Sequence, residues 1–125
     1  DYQGAVDALT EIMRFAQDET MKNRALIELG RTFMMNEALG AQAYRRALGQ
    51  LGQIALVTDE DVVLLADPDS EADRAFVEEA LYKSAVCYSI LGEEKEKQTV
   101  VEKYRELFPT GEYATDIGSL PAAKF

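Results

Sequence analysis

Histidine and tryptophan are absent from this chain, and cysteine occurs once. Without histidine, the most common general base and the most common metal ligand are both missing. A single cysteine, Cys87, excludes an internal disulfide, so composition leaves the redox compartment open. Long hydrophobic runs are missing too. The longest, Val62–Ala66, has five residues, against the ~20 that a membrane-spanning helix needs. Direct membrane insertion is therefore not expected. No signal peptide is visible, and the chain opens at Asp1 without a methionine, as a processed or truncated product would.

Basic residues are scarce: 13 against 23 acids, for a net charge of −10. Residues 1–57 hold seven acids and six bases, a net of −1, and residues 58–125 hold sixteen acids and seven bases, a net of −9. Binding phosphates takes clustered Lys and Arg, so nucleic acid is excluded as a partner class. An anionic membrane surface is excluded for the same reason. The complement to this chain is a basic or largely apolar partner.

What remains is apolar and helix-forming. Hydrophobic residues make up 47% of 125 positions, enough for the continuous core of a single domain. Three prolines, eight glycines and few β-branched residues leave helix as the expected state almost throughout. Ala5, Ala8, Leu9, Ile12, Met13 and Ala16 fall at helical spacing over residues 2–17. Thr20 can cap a second helix over 21–36, carrying Ala25, Leu26, Leu29 and Phe33 inward. A third runs from about Ala38 through Ala41, Tyr44, Ala47, Leu48 and Leu51. Residues 53–68 are the least regular. There Thr58-Asp-Glu-Asp reads as a capping box, and a short helix over Asp59–Ala66 beside the third helix is expected to shelter the Val62–Leu65 run. With Pro68 in its first turn, the next helix is expected from about Asp69 to Leu91. Gly92 ends it, an amphipathic helix over 93–108 follows, and Pro109 stops that one. A last short helix is expected to start at Thr110, with Gly118–Phe125 as a tail.

The stretch from Glu78 to Gly111, EEALYKSAVCYSILGEEKEKQTVVEKYRELFPTG, resembles one tetratricopeptide repeat, a helix–turn–helix unit with a period of about 34 residues. Leu81, Ala85, Tyr88, Gly92 and Pro109 stand at the family's signature places, and Val101 and Tyr104 fill the apolar places of the second helix. Lys97 departs from the pattern, since a small residue is usual there. Leu29-Gly30 with Phe33, followed by Tyr44 and Ala47, resembles a second copy. Tyr2, Ala5, Leu9 and Ile12 resemble the second helix of a still earlier one. The resemblance implies an all-α fold of antiparallel helix–turn–helix repeats stacked as a short right-handed superhelix, with about six or seven helices. Residues 1–117 then form one domain: 1–19 the second helix of a truncated repeat, 20–52 a repeat, 53–70 an insertion and 71–111 a repeat, with 118–125 as the tail. The phrase Glu102–Ala114, EKYRELFPTGEYA, is also similar to repeat-joining segments of bacterial envelope proteins. That points to the periplasm, with the cytoplasm left open.

Chemistry-bearing clusters are thin. Asp67, Asp69, Glu71, Asp73 and Glu78 have spacings like a calcium loop, but Ala72 stands where the sharp turn needs glycine and Pro68 sits inside. An acid-rich helix start is the expected reading. Cys87 has no adjacent base or cation to make it a nucleophile. Glu78 and Glu79, like Glu93 and Glu94, diverge by about 100° on a helix and do not converge on one atom. No enzyme, cofactor or metal site is expected.

The resemblance places a binding groove along the first helices of successive repeats. Arg24, Ile27, Arg31, Met34 and Met35 would line it from one repeat, and Glu79, Tyr82, Val86, Ser89 and Ile90 from the next. Of the Lys and Asn residues that grip chaperone C-termini in the family, only Lys83 has a counterpart, so a cochaperone role is not expected. The function implied is a scaffold that binds another protein or peptide. The alternative is a structural module that self-associates through the unpartnered stripe Ala5–Leu9–Ile12–Met13, as part of an envelope assembly complex.

Overall fold

A computed structural model describes all residues, 1–125. Five α-helices follow the chain: α1 (Tyr2–Phe15), α2 (Glu19–Met34), α3 (Ala41–Leu51), α4 (Arg74–Leu91) and α5 (Glu94–Leu107). Two strands, β1 (Ala55–Val57) and β2 (Val62–Leu64), lie between α3 and α4. Glu37–Leu39 and Asp116–Gly118 are single 3-10 turns. The fold is thus mostly helical with one small sheet, and it has five helices rather than six or seven.

The helix ends follow capping chemistry. Asp1 accepts from the Gly4 N–H, and Asp18, not Thr20, caps α2 by accepting from the Thr20 N–H at 2.8 Å. Gly92 closes α4 in the left-handed region at φ 74°, while the Glu93 N–H reaches back to the Tyr88 carbonyl at 2.9 Å. The start of α4 lies five residues later than the Pro68 signal implies. Asp67 Oδ1 accepts from the Asp69 N–H and Ser70 Oγ from the Asp73 N–H, so these side chains hold the backbone in turns that compete with a helix.

Each helix packs on its neighbours in the chain, and α2 also meets α4. The main core gathers Leu26, Ile27, Leu51, Val77, Leu81, Ala85, Val100, Val101, Tyr104 and Ile117. A second cluster, Leu29, Phe33, Ala47 and Cys87, receives Tyr2, Val6, Leu9 and Met13 of α1. Ala5, Ala8 and Ile12 stay outside it. Close approach of α2 and α3 depends on Gly30, where a Cβ would stand 2.9 Å from Leu51 Cδ2. Leu51 is fully buried and has nowhere to move.

The expected helix over Asp59–Ala66 is instead a β-hairpin. β1 and β2 pair antiparallel in the register Ala55↔Leu64, Leu56↔Val63 and Val57↔Val62. Thr58 and Asp61 still bond across three residues. The Asp61 N–H donates to Thr58 Oγ at 3.1 Å, and the Thr58 N–H donates to the Asp61 carbonyl at 2.8 Å. The capping-box pattern therefore closes a turn rather than opening a helix. Three apolar residues on each side are too few to nucleate a helix, but enough to pair. The hairpin packs on α4 and α5 rather than beside α3. Lys103 of α5 holds the turn through Asp61 at 3.1 Å.

Candidate functional site

Of the residues expected to line a groove, Arg24, Arg31 and Glu79 lie where α2 meets α4. Arg31 joins the two helices: its Nε donates to Glu79 Oε2 at 2.7 Å, and its second amino group sits 2.5 Å from the same oxygen. Its remaining amino group meets Glu28 at 2.6 Å. Glu79 is nearly enclosed and also faces Lys83 at 3.7 Å. Arg24 lays its guanidinium over the Phe76 ring of α4, 5.9 Å from the centroid. Arg31 with Glu79 and Arg24 with Phe76 clamp α2 against α4, so these side chains are committed to the fold as well as to the surface. A charge pair this close, partly shielded by protein, holds more strongly than an exposed one.

Tyr82 is covered. Its ring stacks on Tyr113, centroids 4.3 Å apart and planes within 3°. The chain reaches that position because Pro109 ends α5 and Gly111 leaves room against Glu78 and Tyr104, where any Cβ would collide. The Tyr104 hydroxyl donates to Glu78 Oε2 at 2.6 Å and accepts from the Tyr113 N–H at 2.8 Å. Burial pushes the Tyr113 phenol up to about 12. The Phe-Pro-Thr-Gly-Glu-Tyr-Ala phrase is therefore a corner that sends the chain back along α4.

Beyond that corner the tail is ordered against the fold. Ile117 enters the core and Leu120 packs on it. Ser89 Oγ donates to the Pro121 carbonyl at 2.5 Å, and the Lys124 N–H donates to the Ile90 carbonyl at 2.8 Å. Both Ser89 and Ile90 are buried, and Ile27 lies in the main core. None of the three is open groove surface. The family spacing sets which way each side chain points, but not what later chain lies over it. Val86 is half-buried on α4.

Met34 and Met35 remain at the open end. With Asn36, Glu37, Gly40, Ala43 and Tyr44 they line a cleft of about 440 Å³, closed on its far side by Lys124 and Phe125. Met35 is 80% exposed, a large, repackable side chain in water beside an apolar wall. The sequence offered no sign that residues 124–125 would meet α3. The ring of Phe125 nonetheless lies 6.0 Å from that of Tyr44.

Cys87 sits in the second cluster, and burial pushes its thiol up to about 12, with Lys83 opposing only weakly. A thiol-reactive dye at pH 8 is expected to leave the folded protein unlabelled and to label it fully in urea. Rapid labelling of the native chain would contradict this burial. Of the acids at calcium-loop spacing, Asp67 spends its carboxylate on a turn, accepting from the Asp69 N–H, and Asp73 precedes α4 without a side-chain capping bond. No helix is long and apolar enough to cross a membrane. No family model, curated protein or solved structure matches this chain.

Proposed function

We propose that this chain is a tetratricopeptide-like helical repeat module, stacked as a short right-handed superhelix, that binds another protein or peptide along the face formed by α2 and α4. One observation carries the reading: Arg31 and Arg24 of α2 reach Glu79 and Phe76 of α4, so the first helices of the two repeat-like pairs share one face. At the end of that face, Met34, Met35 and Tyr44 border an open cleft. An adaptable apolar surface on a chain of net charge −10 suits a basic, partly apolar partner. Peptides selected from a random library against the folded chain are expected to shift the amide resonances of Met34, Met35, Tyr44 and Val86. Shifts confined to Glu102, Arg105 and the rest of the outer face of α5 would overturn the assignment.

A second reading, self-association, is favoured by the free side of α1. Ile12, Phe15 and Met21 are exposed, and Leu9, Ile12, Met21 and Ala25 line an apolar cleft of about 390 Å³. Light scattering over a concentration series separates the two readings, since a monomer at every concentration removes this one.

A further inference from the structure

The strap Pro121–Phe125 occupies the face on which the binding reading rests. It has no regular secondary structure and is exposed along its whole length. Upstream, Ile117 is buried and Leu120 half-buried, so the firmly anchored chain stops at Leu120. What holds the strap is different in kind. Pro121 accepts from Ser89 Oγ and Lys124 donates to the Ile90 carbonyl, so both bonds are made by the strap's own backbone. Ile90 is in the last turn of α4, where carbonyls have no partner within the helix.

The track suits small residues followed by an aromatic. A Cβ at Gly92 would lie 3.5 Å from Ala123 Cβ, and one at Gly40 would lie 4.0 Å from the Phe125 ring. The strap thus crosses the two positions of positive φ, where the fold presents no side chain. Lys124 borders the same cleft as Glu37, one cation against a chain of net charge −10. Phe125 rests on Tyr44 yet remains 59% exposed.

Taking the binding reading as its basis, we propose that the strap is a displaceable internal ligand. The site beneath it then receives an extended segment of a partner protein with the same chemistry: two small residues, a cation and an aromatic. Backbone bonds supply the grip and the Met34–Met35–Tyr44 cleft receives the aromatic side chain. Because the strap is tethered, its effective concentration is in the millimolar range, so a competing segment meets a site that is mostly closed.

The probe is a fluorescein-labelled peptide of residues Ser119–Phe125, titrated by fluorescence polarisation into the full chain and into the Lys124→Pro/Phe125→Ala variant. That variant removes the N–H that bonds Ile90 and the ring on Tyr44, both at exposed positions, and circular dichroism confirms that the helices remain. The variant is expected to bind the peptide about tenfold more tightly, the factor for a site open in about one native molecule in ten. A peptide carrying the same two changes is expected not to bind. In the native chain, saturating peptide is expected to accelerate hydrogen exchange at the Lys124 amide. Equal affinity for both proteins, no binding to the variant, or equal binding of the altered peptide each overturns the proposal. If library peptides still map to Met34, Met35 and Tyr44, only the strap's role has failed. If nothing maps there, the binding reading has failed with it.

Discussion

Val62→Asp is expected to lower the free energy of unfolding by about 3–5 kcal/mol, the cost of an uncompensated buried charge. The same change at the adjacent Val63 is expected to stay within about 0.5 kcal/mol. Val62 is 4% exposed and Val63 46%, because neighbours in a strand face opposite ways. Ala55, Val57, Val62 and Leu64 form the inward face of the hairpin, and Leu56 pairs with Val63 on the outward face. Urea titrations of both variants check this, with similar m-values showing that the folded state is shared. Equal losses at both positions would contradict the hairpin's alternation.

Leu81→Ala is the second large effect. Leu81 is completely buried in the main core, beside Val77, Ala85 and Val101. Truncating a leucine in so closed a site costs about 2–5 kcal/mol, from lost burial and from the cavity left behind. The upper part of that range is expected, since α4 is wedged between α3 and α5 and cannot collapse into the gap. A loss under about 1 kcal/mol in urea unfolding would show that Leu81 does not hold these helices together.

Where a residue's local role and its tertiary role agree, the sequence was legible. Gly92 and Pro109 bracket α5 as Glu94–Leu107, within a residue or so of the expected 93–108. Gly30 sits at a close contact between α2 and α3, and Ala85 is fully buried, as residues this small at inward positions imply. The hairpin was not legible because the bond from the Asp61 N–H to Thr58 Oγ, which would open a helix, here closes a turn. Only the burial of alternate residues tells the two apart. The start of α4 moved because Asp67 and Ser70 bond their own backbone, which outweighs the proline signal.

The site was half legible. Arg24, Arg31 and Glu79 meet between α2 and α4, and Met34 and Met35 border the cleft. What covers Tyr82, Ser89 and Ile90 had no side-chain pattern to find. Tyr113 reaches Tyr82 through a corner set by Gly111, and the strap is fixed by main-chain groups of Pro121 and Lys124. A backbone donor and acceptor exist at nearly every residue. Their use here depends on where the chain travels, not on which side chains it carries.

The most direct test of binding on the α2–α4 face is position-resolved photocrosslinking in an extract of the cells that make the protein. One copy of the chain carries a photoreactive residue at Met35, and another carries it at Glu102, exposed on α5. A discrete protein adduct is expected from Met35 alone, and it should weaken when excess Ser119–Phe125 peptide is added. The same adduct from Glu102, or none from Met35, would contradict a partner-binding face between these helices.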